Sequence, residues 1–214
     1  MYLKTKKENF LDEPVSGFWL GPTTADLGGG EILLCADCME KSDGVKFSAL
    51  RRSYDSGESW NKQGEFEHCA TYEGGMRRDG YGALYKNPKS ERIFYFGNEL
   101  YWDNDKLDST WRCRKLYYRI SEDRGHSWSD KRHIVQSGSD EFGAFDDDHY
   151  MKGVTFGQNM AGIYSKPIGL SDGSIVLGVQ RQVPEGAASA GPTGMGFLEA
   201  GALKGRWDEK AGRF

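Results

Sequence analysis

Nowhere does the chain carry an apolar run long enough to cross a bilayer, so no membrane span is expected. The opening MYLKTKKENF has basic residues with no apolar stretch behind them, so no signal peptide is expected in this chain, and secretion or export of a longer protein stays open. Charge of one sign is lacking too: 28 Lys and Arg face 32 Asp and Glu, for a net charge of −4. That balance removes the electrostatic ground for binding nucleic acid or an anionic membrane. Cysteine is scarce, four in 214 residues. Cys35 and Cys38 form a C-x-x-C, but they follow the strand-like EILL, where positions i and i+3 face opposite sides. No second close Cys or Cys/His pair completes a zinc site, so buried free thiols and no metal are expected, and no cofactor is implied. Helix periodicity is missing throughout. Disorder is excluded from the other side: the mean hydropathy of −0.68 is polar, yet 13% of residues are aromatic, too many for a solvated tail.

What recurs is a short β run, a Gly/Asp/Ser/Pro turn and another β run, an all-β pattern. Strands are expected at 17–27, 31–39, 45–53 and 59–68. The order repeats at 81–85, 92–101, 113–121 and 129–136. A third pass has strands at 164–170, 175–183 and 194–203. Four antiparallel strands per roughly 50–70 residues is the plan of a β-propeller blade. A lone blade cannot bury both sides, so blades must stack around an axis. The chain is therefore expected to be one propeller segment over 1–214, with two and a half to three four-stranded blades at about 17–70, 77–137 and 158–214.

Between the third and fourth strands of the first two passes stand SYDSGESW (53–60) and SEDRGHSW (121–128), in one S-x-D-x-G-x-x-W frame. Asp55 and Asp123 are placed to accept turn N–H groups. Gly57 and Gly125 supply a positive φ, Ser53 and Ser121 bond across the turn, and Trp60 and Trp128 cover the hydrophobic layer. These eight residues are expected to pin hairpins and to do no chemistry, because two identical pins cannot both be one active site. Arg51 and Arg119, each two residues before an octet, share that structural reading.

The octet matches the Asp-box, or BNR repeat, and on it the chain resembles the sialidase (neuraminidase) superfamily. PTTADLGGGEILL (22–34) and KPIGLSDGSIVL (166–177) extend the likeness, as about the first half of a six-bladed propeller. The resemblance implies an exo-acting glycoside hydrolase that removes a terminal acidic sugar, with a glycan or glycoconjugate as partner. By position in the family pattern Asp43 is the acid/base. Leu20 stands where the family places its first substrate arginine, and leucine cannot bind a carboxylate. The nucleophile and remaining arginines would lie in later blades. The alternatives are a non-catalytic propeller that binds glycan or protein, and a hydrolase or lyase acting on another acidic polysaccharide.

Strand order puts the Asp-box turns and the first hairpin turns at one end of the sheets. The other end gathers the longer loops, where function concentrates. There the sequence places Asp37 and Asp43, then Tyr72, Glu73, Arg77, Arg78 and Asp79, then Trp102, Asp103 and Asp105. Arg181 and Glu185 follow in the third pass. Of these, Asp37, Arg77, Arg78, Asp79, Trp102 and Arg181 are the expected substrate contacts: arginine clamps an anion and an aromatic ring stacks on a pyranose. The acidic run Asp146, Asp147, Asp148 with His149 reads as a solvated loop rather than a calcium site.

Overall fold

A computed structural model describes residues 17–41, 44–72, 75–102, 111–134, 161–182 and 198–214. Among the described residues there are thirteen strands and no helix. They form three antiparallel sheets, consecutive in the chain. The first takes β1 (Phe18–Gly28), β2 (Glu31–Lys41), β3 (Gly44–Ser53) and β4 (Asn61–Glu67) in sequence order. The second takes β5 (Cys69–Tyr72), β6 (Gly75–Lys86), β7 (Ile93–Trp102), β8 (Trp111–Ser121) and β9 (Arg132–His133), also in order. In the third, β10 (Ala161–Ile163) and β11 (Ile168–Gly169) lie along one edge of β12 (Ser174–Gln182), and β13 (Leu198–Arg206) along the other. This is a partial β-propeller of three stacked sheets.

Several elements differ from the sequence expectation. The strand expected at 81–85 starts at Gly75, as β6, and the short β5 before it pairs Cys69 with Arg78 and Ala70 with Arg77. The run MRRD is thus strand rather than loop. Of the described residues 129–134, β9 takes only Arg132 and His133. The first strand of the third sheet is split in two across 164–167, where Pro167 has no N–H to give a ladder. β13 runs on to Arg206, past the expected end at 203, with Leu203 opposite Leu177; residues 194–197 of the expected strand lie outside the described residues.

Both octets fold as pins. Ser53 Oγ accepts from Gly57 N at 2.8 Å and donates to Asp55 Oδ1, which also accepts from Ser59 N at 2.8 Å. The second copy repeats this with Ser121, Gly125, Asp123 and Ser127. Ser59 and Ser127 add hydroxyl bonds of 2.6 Å to the second carboxylate oxygen. Gly57 and Gly125 sit at φ 94° and 88°, where a side chain is strained. The tryptophans part ways. Trp60 Nε1 donates to Gly57 O within its own turn, whereas Trp128 packs edge-on against Phe66 of the first sheet, ring centroids 5.4 Å apart. A hydrogen bond of 2.8 Å from Ser56 N to Gly30 O joins the first pin to the β1–β2 turn, so both turns share one end of the sheet.

Two cores hold the sheets together, and alternation along the second sheet feeds both. Ile93 and Tyr95 point into the core shared with the first sheet, beside Leu33, Leu50 and Phe66. Phe94 and Phe96 point into the core shared with the third, beside Ile163, Ile175 and Leu177. After β13, Asp208 Oδ1 accepts from Lys210 N and Ala211 N. This local turn, where no octet stands, carries Trp207 and Phe214 back onto Phe94 at 5.5 and 5.1 Å. Near the pinned end, Arg52 is fully buried. It donates to Gln63 Oε1 and to Arg124 O of the second pin, and pairs with Glu31. Arg124 pairs with the other oxygen of Glu31 and donates to Leu27 O, so the second sheet is bolted to the first.

Candidate functional site

All three innermost strands are interrupted at one level. In β1 the register slips between Leu20 and Thr23, with Gly21 at φ 61°. In β6 it slips between Gly80 and Ala83, with Tyr81 at φ 54°. In the third sheet the break spans 164–167. A non-glycine residue at positive φ is uncommon, and bulges of this kind re-aim side chains beside functional sites. The three breaks enclose a cleft of about 270 Å³ lined by Gly21 to Thr24, Tyr81 to Ala83 and Tyr164 to Lys166. That is near the lower end of ligand-pocket size, roughly 300–1,000 Å³. The rings of Tyr81 and Tyr164 lie 5.3 Å apart in it, and Lys166 Nζ reaches across to Thr24 O at 2.9 Å.

Behind the cleft a polar chain crosses the seam between the first two sheets. Asp37 Oδ2 accepts from Tyr81 N at 2.8 Å. Asp37 Oδ1 and His68 Nε2 each lie 2.5 Å from Ser48 Oγ, and His68 Nδ1 lies 3.1 Å from Asp79 Oδ2. Tyr95 Oη stands 3.4 Å from the same serine oxygen. Asp37, Ser48, His68 and Asp79 are all buried, none more than 3% exposed. The spatial order is that of a Ser–His–Asp triad, but with the serine inside the protein. Asp79 is contacted by Lys131, which lies over the Tyr117 ring and 3.2 Å from Glu99. Arg77 Nε lies 3.4 Å from Asp79 Oδ1, and His133 closes the chain at the surface with a 2.7 Å contact to Glu99.

These surroundings set the carboxyls apart. Burial pushes Asp37 up, against the opposing pull of His68 and of the Ser48 and Tyr81 hydrogen bonds. Burial also acts to raise Glu99, but the bond from His133 and the charges of Lys131, His133 and Arg77 outweigh it and hold the carboxyl far below its usual range. In the pins, bonds from Ser59 and Ser53 hold Asp55 at about 2, and bonds from Ser127 depress Asp123 likewise. A carboxyl depressed by folding adds stability above its unfolded value and loses it as pH falls through the folded value. The melting temperature is therefore expected to hold from neutrality to about pH 5 and to fall as acid passes the ordinary carboxylate range of about 4. Asp37 has the opposite sign: its contribution is full at low pH and lost as pH rises through its folded value. Circular dichroism melts between pH 7 and 2 check this; a flat profile contradicts it.

The expected contacts fall into different places. Asp37 and Asp79 are joined through Ser48 and His68. Arg77 is partly exposed beside Asp79 and Glu99. Arg78 is buried, donates to Val45 O and pairs with Glu40. Trp102 ends β7 opposite Trp111 and Met76, and Arg181 lies in β12 opposite Ala161 and Glu199. Asp43, Glu73, Asp103, Asp105, Asp146 to Asp148, His149 and Glu185 lie outside the described residues, as do the loops carrying them. Tyr81, Tyr164, Ser48 and His68 were not singled out from sequence. Ser48 and His68 carry no motif; Pro22 and Pro167 are the signals for the strand breaks. Cys35 and Cys38 are buried free thiols, and among the described residues no cluster of His, Cys, Asp or Glu is arranged to hold a metal.

No family model matches the chain, and no curated protein matches it. Solved structures do. An ulvan lyase of polysaccharide lyase family 25 superposes with a TM-score of 0.52 at 11% identity, over 86% of this chain and 40% of that one. An α-L-arabinanase of Penicillium chrysogenum, complexed with arabinobiose, gives a TM-score of 0.45 at 17% identity, over 76% and 41%. A protein of unknown function from Dyadobacter fermentans gives 0.44 at 18% identity, over 79% and 45%. The chain thus spans less than half the length of these structures, and its fold is similar to that of the ulvan lyase.

Proposed function

We propose that this chain is part of a carbohydrate-active propeller and that its central cleft holds one sugar unit of a glycan. The carrying observation is the convergence of three broken inner strands on a cleft walled by Tyr81 and Tyr164. Strands that bulge together at one level leave a hollow where an unbroken barrel of strands would be filled. Two phenol rings offer apolar area with a polar tip, and Thr23, Thr24, Ser165 and Lys166 add the hydrogen-bonding groups a sugar needs. The similarity in fold to an ulvan lyase supports the class. The finer reading is an exo-acting, sialidase-type hydrolase once the remaining blades are present, with Asp43 as acid/base and Arg77 near the rim to meet an anionic group.

Titration with arabinobiose, a sulfated glucuronate–rhamnose oligosaccharide and sialyllactose, followed by amide shifts in NMR, tests the cleft. At least one is expected to perturb residues 21–24, 81–83 and 164–166, and Tyr164→Ala to weaken it about tenfold. No perturbation by any of the three overturns the reading. A second reading, a non-catalytic glycan or protein binder, is favoured by Leu20, which is 40% exposed and paired with Asp37 in the register. A fluorogenic sialoside assay on the full-length protein, with Asp43→Ala beside it, separates the two: binding without turnover selects the binder.

A further inference from the structure

The seam chain has a proton count that geometry limits. Ser48 has one hydroxyl proton and two partners at 2.5 Å, Asp37 Oδ1 and His68 Nε2. Asp79, with Lys131 against it and Arg77 beside it, is an acceptor, so His68 donates to it from Nδ1. Two arrangements then satisfy every bond. In one, Asp37 carries the proton and donates to Ser48, which donates to Nε2 of His68. In the other, His68 carries protons on both nitrogens and donates to Ser48, which donates to an ionised Asp37. The arrangements differ by one proton moved along the chain, and no atom gains or loses a partner.

Charge burial decides between them. The first leaves Asp79 as the single charged member, next to Lys131. The second adds two more charges, one on Asp37, which is 3% exposed. The groups facing Asp37 are Ser48, His68, Tyr95, Cys35, Asp79 and the Tyr81 N–H, while Lys131 and Arg77 lie against Asp79 and Arg78 against Val45 O and Glu40. Separated charges in a dry seam are costly, so the proton belongs on Asp37. Burial pushes its carboxyl in the same direction.

We propose that Asp37 is a neutral acid at physiological pH and the positioning residue for Tyr81, holding the Tyr81 N–H in the left-handed bulge so that its ring forms the wall of the sugar cleft. Ser48, His68 and Asp79 fix the acid in turn. Within an ordinary strand Tyr81 N would serve the β6–β7 ladder. The register slip at Tyr81 takes it out of that ladder, and Asp37 Oδ2 is its partner instead. The sugar-cleft part rests on the function proposed above; the acid and its anchor do not.

Asp37→Asn reproduces the neutral acid, since its amide NH₂ donates to Ser48 and its oxygen accepts from Tyr81 N. Difference infrared spectra at neutral pH are expected to show a protonated carboxylic acid band in the wild type that is lost in D37N. Its absence from the wild type overturns the neutral acid. Hydrogen exchange at Tyr81 N–H is expected to be equally slow in wild type and D37N, and about tenfold faster in Asp37→Leu. Equal exchange in D37L overturns the anchor. If D37L does not fold, Ser48→Ala replaces it: losing the serine frees Asp37 and is expected to speed the same amide. For whichever of the three saccharides binds, D37N keeps the affinity and D37L loses about tenfold. A purely structural role would give loss of stability in D37L with unchanged affinity of the folded fraction. If no saccharide binds the wild type, the cleft reading falls, while the infrared band and the amide still decide the acid and its anchor.

Discussion

Arg52→Ala is expected to destabilise the fold by about 3–5 kcal/mol, the range for removing one partner of a buried ion pair. The guanidinium is fully buried and serves three acceptors: Gln63 Oε1 at 2.9 Å, Arg124 O at 2.7 Å and the Glu31 carboxylate. Glu31 keeps Arg124 but loses its inner partner. The Arg124 carbonyl, at the left-handed corner of the second pin, loses its donor. The emptied volume borders Leu33 and Ile93 through Gly125, where Cβ positions are already tight. Native domains hold only about 5–15 kcal/mol in all, so this loss takes a large share. Arg52→Met restores the volume without the fork and is expected to recover part of it; Arg52→Lys is not conservative here, since one ammonium cannot span three fixed acceptors. Urea unfolding with an unchanged slope measures the difference. A midpoint for Arg52→Ala equal to wild type would mean that the two sheets are not joined through this residue.

Gly82→Ala is expected to cost about 3 kcal/mol or more, above the usual overpacking range, because its neighbour cannot yield. A Cβ at 82 would lie 2.0 Å from Cζ and Oη of Tyr95. The Tyr95 ring is fully buried, with Phe66 at 5.0 Å, Tyr117 at 6.2 Å and His68 stacked at 6.5 Å. Any shift of that ring presses on the Ser48–His68 pair. At this chain length the loss corresponds to about 6–12 °C in melting temperature. Near-ultraviolet circular dichroism, which reads tyrosine packing, should change with it. Since Gly82 also lines the cleft, saccharide binding should weaken in the folded fraction. A variant that melts with the wild type would show that the ring has room the packing denies it.

The hairpin pins were legible because everything they need lies within eight residues: an Asp, two Ser and a Gly at fixed spacing fold the same way twice, and only the two tryptophans differ. Strands two and three of each pass were legible for a similar reason, local apolar alternation between turn residues. The seam was not. Ser48 faces Asp37 only through the β2–β3 register, and His68 reaches Asp79 only because β5 folds back on β6. Nothing in CATY marks it as a strand, so MRRD read as a loop and Arg78 as a surface clamp candidate, whereas Arg78 lies buried against Val45. The cleft was not read: unbroken strands were expected over 17–27 and 164–170, although Pro22 and Pro167 stand at the breaks, and Tyr81 bulges among tertiary partners, with its N–H on Asp37 and the Tyr95 ring over Gly82.

That stacking of rings over glycines has a geometric consequence. Tyr95 leans over Gly82, and Tyr117 over Gly97, where a Cβ would meet it at 2.6 Å. Each bulky group of the outer strands thus rests on a bare backbone nearer the centre, making the layer between neighbouring sheets thin inside and thick outside. Backbone ladders close within each sheet, so the angle from one sheet to the next is set by what fills the seam, this taper together with the side-chain bonds of Arg52, Arg124 and Asp37 that cross it. Resizing a ring in such a seam, Tyr95 or Tyr117, is therefore expected to change the angle between neighbouring sheets, and with it how many sheets a full circle takes.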